Sequence, residues 1–177
     1  QPVIMPGGAK AVKQPWRNSY AHILNAMDWQ TFLDHWGQTP LGQLLISKPL
    51  DTLQAMMDKG LNCPPASSAG RLFDAVAGAL GLHAEEVLFE GQAAIELEML
   101  VEPGGFDAAH QPGAYPFPVE PVDDSGSSLL QLSPKALWPA LLNDLSNGLP
   151  KAEISARFHA GLILGIADLV EQLGHQH

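Results

Sequence analysis

Apolar residues recur at three- and four-residue intervals through most of the chain, and prolines and glycines mark where each run starts and stops. Pro2 to Gly8 reads as an extended lead-in ending in a Gly7-Gly8 turn; no Lys-Ser/Thr follows, so this is a turn rather than a phosphate loop. Pro15 then opens a predicted helix reaching about Met27, with Trp16, Tyr20, Ile23, Leu24 and Met27 on its buried stripe and Arg17 and His22 on its flanks. A short aromatic segment runs from Trp29 to Trp36. Thr39-Pro40 and Lys48-Pro49 each start a further helix, the second carrying Leu50, Leu53, Met56 and Met57 before Gly60.

Later in the chain the pattern changes twice. Prolines from Pro103 to Pro121 exclude a helix, and Tyr115–Val119 and Ser128–Leu132 predict a two-stranded hairpin around the acidic turn Asp123-Asp124-Ser125-Gly126, read as solvated. Ser133-Pro134 is expected to cap a helix carrying Leu137, Trp138, Leu141, Leu142 and Leu145 up to Asn147-Gly148. Leu149-Pro150 opens the last and longest helix, apolar on a broad face from Ile154 to Leu173, with Gly161 and Gly165 spaced for close approach by another element.

The stretch from Cys63 to Glu98 carries the candidate chemistry. Pro64 and Pro65 keep the backbone out of the helical region, and the Ser67 and Ser68 hydroxyls are expected to cap a helix from Ala69 to Gly81. Its apolar stripe is Leu72, Phe73, Val76, Ala77 and Leu80, which leaves Arg71, Asp74 and Gly78 towards the other side. Gly78 costs this helix about 1 kcal/mol unless another backbone or a flat ligand packs close against it. Glu90-Gly91-Gln92 sets a flexible residue at the mouth of a second helix, Ala93 to Glu102, so that a carboxylate on one helix faces bare amides on the next.

Composition narrows the class of function. A formal charge of -10 over 177 residues, from 19 acidic and 9 basic side chains, repels phosphate backbones and anionic lipid, so neither nucleic acid nor a membrane surface is an expected partner. The single cysteine, Cys63, excludes an internal disulfide and fits a cytoplasmic setting; it reads as a small apolar residue in a turn. No apolar run reaches the roughly 18 residues of a membrane span. Arg17 could hold an anion, although a solvated or carboxylate-paired side chain is the commoner outcome, and His22, His35 and His159 read as structural. The chain begins with Gln1, not Met, and is expected to be a fragment.

Three separated signatures carry a family resemblance: Met5-Pro6-Gly7-Gly8 with Gln14-Pro15-Trp16-Arg17; the run from Ser67 to Ala77 followed by Glu90 to Glu98; and Ala156-Arg157-Phe158-His159-Ala160-Gly161. Together they resemble the C-terminal, Kae1-like domain of the HypF hydrogenase maturation carbamoyltransferases, relatives of the Kae1/TsaD proteins and of the actin-like ATPases. The sequence departs from that pattern at Ala9, where family members usually have Asp.

The resemblance implies a mainly α (α+β) fold: a helical subdomain with a small β-hairpin, part of an actin-like ATPase fold, with residues 1–177 a partial Kae1-like domain and the Pro/Gly-rich segment at about 103–132. It implies an enzyme only in the intact family protein, where carbamoyl phosphate and ATP yield carbamoyl-adenylate and the carbamoyl group passes to the C-terminal cysteine of HypE. Partners would be HypE and the other domains of the same protein. Asp74 and Gly91 match the residues that hold the nucleoside's ribose in the relatives, with Glu90 a weaker candidate; no catalytic residue is assigned. The family's His-x-x-x-His metal motif and Gly-rich phosphate loops would precede Gln1 and its Ser-Gly-Gly-Val-x-x-Asn strand would follow the last helix, so the fragment itself is expected to lack phosphate and metal binding. Two other readings remain: a helical module that docks HypE or a sister domain without nucleotide, and a relative of tRNA threonylcarbamoylation enzymes, which the acidic charge disfavours.

Overall fold

The computed structural model describes residues 1–102, 112–122 and 129–175, and the chain divides into two compact units, one from Pro2 to Met99 and one from Leu100 to His177 that also takes in Gln1. The first unit is helical. Strand β1 (Val3–Ile4) leads through the Gly7-Gly8 turn to α1 (Ala9–Lys13), α2 (Pro15–Ala26), α3 (Trp29–Trp36), α4 (Pro40–Ile46) and α5 (Leu50–Asp58). Strand β2 (Pro65–Ala66), α6 (Ala69–Ala79) and α7 (Gln92–Met99) follow. β1 and β2 pair antiparallel, Val3 with Ala66 and Ile4 with Pro65. At two residues each they leave no alternation in the sequence; the extended lead-in that holds β1 was expected, its pairing with β2 was not.

Helix starts follow the local chemistry, with one exception. Asp28 and Thr39 cap α3 and α4 through side-chain oxygens that accept from Thr31 and Gly42, and Pro15 and Pro40 occupy first-turn positions. Ser68 sits at the N-cap of α6 as expected, yet its hydroxyl accepts nothing from the helix; its backbone carbonyl receives the amides of Arg71 and Leu72. Gly81, at φ +76°, closes α6 with paired bonds from the Leu82 amide to the Ala77 carbonyl and from the Gly81 amide to the Gly78 carbonyl.

Helix α2 is the centre of this unit. It lies against α6, α1, α3 and β1, so burial extends past its expected stripe to Asn18, Ser19 and His22. His22, expected on the flank, is 6% exposed, and Leu24 and Met27 are only half-buried. Asn18 donates to the Ala11 carbonyl at 2.7 Å and Ser19 to the Ala75 carbonyl at 2.7 Å, which satisfies polar groups that burial would otherwise make costly. Burial holds the His22 imidazole near pKa 4, so it stays neutral in the folded chain.

The second unit holds β3 (Val119–Pro121) and β4 (Leu130–Leu132), paired antiparallel with Val119 opposite Leu132, then α8 (Leu137–Ser146) and α9 (Lys151–His175). The hairpin is present, shifted to the C-terminal end of its expected first strand; its proposed acidic turn at Asp123 and Asp124 lies outside the described residues. Ser133 is fully buried and does not cap α8, which starts three residues after Pro134 without a side-chain cap. Gly161 and Gly165 do what their spacing suggested: a Cβ at Gly161 would fall 2.1 Å from the Tyr115 carbonyl oxygen, and one at Gly165 2.7 Å from the Phe117 Cβ. The apolar face of α9 is buried only as far as Ala160; Ile163, Ile166 and Val170 are exposed. His159, by contrast, is buried and bonded to Ser155, a structural role.

At Gly78 an added Cβ would meet the Ser19 Oγ at 2.7 Å and the Pro15 carbonyl carbon at 3.0 Å, so α6 rests on the backbone of α2 there. Gly78→Ala is therefore expected to destabilise the chain by about 1–3 kcal/mol in denaturant unfolding, overriding the gain of about 1 kcal/mol in helix propensity. A stabilised Gly78→Ala chain would contradict this close approach.

Candidate functional site

The candidate nucleoside residues are built on α6 and on the turn before α7, two helices in mutual contact. Asp74, expected away from the apolar stripe of α6, is 3% exposed. Arg71, one turn earlier on α6, places Nη2 3.1 Å from the Asp74 Oδ2 and 3.7 Å from the Glu90 Oε1, so one guanidinium joins both carboxylates. The pair is ionic without well-aligned hydrogen bonds: Asp74 Oδ2 and Arg71 Nη1 are both buried and neither has a hydrogen-bond partner. Unused bonding capacity is thus held in the interior beside the turn. The Glu90 side chain is 77% exposed and forms the solvent-facing arm of the cluster.

Gly91 is half-buried at φ +86°, a backbone conformation that favours glycine, and a Cβ there would meet nothing within 4 Å. The space above it is open. Asp74 and the Glu90-Gly91 turn therefore share one locality, linked through Arg71, although Asp74 faces a cation and not solvent.

Two features went unnoticed in the sequence. The Gln92 carboxamide oxygen accepts from the Leu88 amide at 2.8 Å, while its nitrogen lies 3.2 Å from Glu96 and 3.1 Å from His83, a cluster that pins the turn ahead of α7. The i, i+4 spacing of Gln92 and Glu96 was a usable signal, whereas the return of His83 at φ +45° was not. The second feature is a cavity of about 270 Å³ between α1 and the same turn, with Val12, Val87, Leu88 and Phe89 as its apolar walls and Lys13 and Glu90 as its charged ones. Leu88 and Phe89 are 86% and 56% exposed, so the cavity opens on an apolar lip.

Other residues singled out in the sequence lie elsewhere. Cys63 is buried in its turn, its thiol 3.3 Å from the Leu61 carbonyl. Arg157 bridges Asp144 at 2.9 Å and Glu153 at 2.7 Å, and Tyr115 donates to the same Asp144 at 2.7 Å, a clamp internal to the second unit. Among the described residues no group of three or more His, Cys, Asp or Glu side chains is placed to hold a metal ion, and no helix is long and apolar enough to cross a membrane.

A family model described as the carbamoyltransferase Kae1-like domain, second subdomain, matches residues 1–177. The chain belongs to this family. It is 40% identical over 102 residues to a carbamoyltransferase HypF homolog of Cupriavidus necator, covering 56% of this chain and 24% of that protein. Similarity to carbamoyltransferase HypF2 of Cupriavidus necator runs longer, 33% identity over 180 residues, or 92% of this chain and 20% of that one. A crystal structure of full-length HypF in the phosphate- and nucleotide-bound form matches with a TM-score of 0.77 at 27% identity, over 99% of this chain and 21% of that chain. The chain thus spans between about an eighth and a quarter of the length of the HypF proteins it matches. The helix-dominated Kae1-like fold expected from the resemblance is the fold observed.

Burial pushes the Asp74 carboxyl from its ordinary 3.8 up to about 6, with Arg71 opposing the rise and Glu90 adding to it. Between those values the folded chain keeps a proton that the unfolded chain has released, so this group lowers stability as pH rises from about 4 to about 6 and has no further effect above that. Asp74→Asn should flatten this part of the pH dependence of thermal unfolding. A profile identical to that of the unsubstituted chain would contradict the desolvated carboxyl.

Proposed function

We propose that this chain is the nucleoside-side portion of a HypF-type carbamoyltransferase, binding the ribose of carbamoyl-adenylate while the carbamoyl group is passed to the C-terminal cysteine of HypE. In that transfer the cysteine sulfur forms a bond to the carbamoyl carbon, the bond from that carbon to the adenylate phosphate oxygen breaks, and the thiol proton is lost. The residues here do not perform that exchange; they position the nucleotide that leaves.

The observation that carries this reading is the single guanidinium that reaches both the buried Asp74 carboxylate and Glu90, the residue before Gly91, where an added Cβ would meet nothing within 4 Å. A carboxylate can accept from both ribose hydroxyls, and a residue without a side chain lets the sugar lie against the chain. The apolar cavity beside Glu90 would take the flat face of the base, with Lys13 at its edge. The names of the relatives support the carbamoyltransferase class. A cytoplasmic setting and an ATP-derived substrate follow from the same reading, and the metal of the intact enzyme would be held by residues outside this chain.

The exposed apolar residues of α9 favour a second reading, a helical module that docks HypE or a sister domain and binds no nucleotide. The two separate in the full-length protein. Asp74→Asn, which keeps the shape of the side chain, is expected to cut HypE carbamoylation about a hundredfold through loss of two hydrogen bonds to a charged acceptor, with cooperative unfolding retained. Asp74→Ala should do the same with an added loss of stability, because it strands the buried Arg71. Normal nucleotide affinity and carbamoylation in Asp74→Asn would contradict the ribose site and leave the docking module.

A further inference from the structure

In the first unit, on the far side of the sequence from the Asp74 cluster, the Gly7-Gly8 turn, the start of α2 and helix α5 enclose a separate cavity of about 200 Å³. We infer that this cavity is a binding site for a small molecule bearing a phosphate group. Two cations, Lys10 and Arg17, border it together with the Asn62 amide and the Thr52 hydroxyl, while Leu53 and Met56 supply apolar walls. No carboxylate lines it. In a chain with 19 acidic side chains and only 9 basic ones, two cations converging on one concavity with no acid among its lining residues is a departure that surface charge alone does not produce.

The geometry holds the Arg17 head in place for this role. Its Nε donates to the Gln14 Oε1 at 2.6 Å and its Nη1 to the Pro6 carbonyl at 3.3 Å, and its guanidinium lies over the Trp16 ring with 4.7 Å to the centroid. These contacts are all to neutral groups; neither Lys10 nor Arg17 forms an ion pair with a carboxylate among the described residues. The sequence left an anion-holding Arg17 open beside the commoner solvated or carboxylate-paired outcome; the side chain is half-buried and pairs with no carboxylate among the described residues. Partial burial lowers its pKa from the ordinary arginine value, with Cys63 opposing the shift, and burial is a cost that an anion would relieve.

The backbone is shaped around the same groups. Gly7 and Gly8 both have positive φ, and Asn62 sits at φ +53°, a conformation uncommon outside glycine. A Cβ at Gly7 would come within 3.1 Å of the Arg17 Nη1, and one at Gly8 within 2.5 Å of the Asn62 Oδ1. Glycines at these positions keep the guanidinium and the amide against the turn. Two cations suit a phosphate monoester, which carries about -1.5 to -2 charges near neutral pH, better than a singly charged carboxylate. Leu53 and Met56 suit an apolar body attached to it. No lining residue is shared with the Asp74, Glu90 and Gly91 cluster, so this inference does not depend on the proposed function.

The test is titration of the 177-residue chain with inorganic phosphate, phenyl phosphate and acetate, followed by amide NMR at constant ionic strength. Saturable shifts confined to the signals of Gly7, Gly8, Lys10 and Asn62 are expected, with phenyl phosphate binding more tightly than inorganic phosphate and acetate more weakly than either. Lys10→Gln and Arg17→Gln should each weaken phenyl phosphate about tenfold, the loss of one charge-assisted hydrogen bond, and Arg17→Lys should restore part of it. Lys10 is exposed, so its variant tests the site even where Arg17→Gln perturbs folding. Shifts that do not saturate, that spread over the whole chain, or that persist unchanged in Lys10→Gln would overturn the inference.

Discussion

A guanidinium shared between two carboxylates of unequal exposure is the contact on which the candidate site depends. Arg71 neutralises Asp74 inside the fold, where an isolated carboxylate would be expelled or protonated, and its reach to Glu90 brings the turn before α7 to the same place. Without it, desolvation of Asp74 would stand uncompensated. Even with it, burial prevails and the carboxyl is held well above its ordinary pKa. The pair is incompletely satisfied, since its buried Asp74 Oδ2 and Arg71 Nη1 lack hydrogen-bond partners. A pair of sugar hydroxyls supplies donors of the kind the carboxylate lacks.

The framework that makes this possible is close backbone packing at glycine. Gly78 lets α6 settle on Pro15 and Ser19 of α2, and the Ser19 hydroxyl completes the contact by donating to the Ala75 carbonyl. The second unit uses the same device, where Gly161 admits the backbone of Tyr115 against α9. In both, a missing side chain is exchanged for proximity between elements, and the position of functional side chains one turn away follows from it.

Much of this was legible in the sequence because punctuation and period agreed. Prolines and threonine caps marked the starts of α2 and α4, Gly81 marked the end of α6, and the four-residue spacing of Gly161 and Gly165 announced a close neighbour. What was not legible has common causes. Asn18, Ser19 and His22 look like a polar face, but α2 is surrounded by α1, α3 and α6, so tertiary contact overrides the stripe. Ser68 and Ser133 carry the right chemistry for caps, yet neither hydroxyl caps a helix: the Ser68 carbonyl takes the first α6 amides, and α8 starts only at Leu137, beyond Ser133. Asp74 was read as a carboxylate facing the amides of the next helix; that it would be buried against Arg71 on its own helix was not read. The candidate residues were found through a family resemblance; their coupling through Arg71 came only with coordinates.

The most direct measurement is a structure of this chain, within its full-length protein, with an adenine nucleotide bound. The account predicts that both ribose hydroxyls lie within hydrogen-bond distance of the Asp74 carboxylate, with the sugar resting over the Cα of Gly91. A bound nucleotide that leaves the Arg71–Asp74 pair covered and touches neither Asp74 nor Gly91 would contradict it.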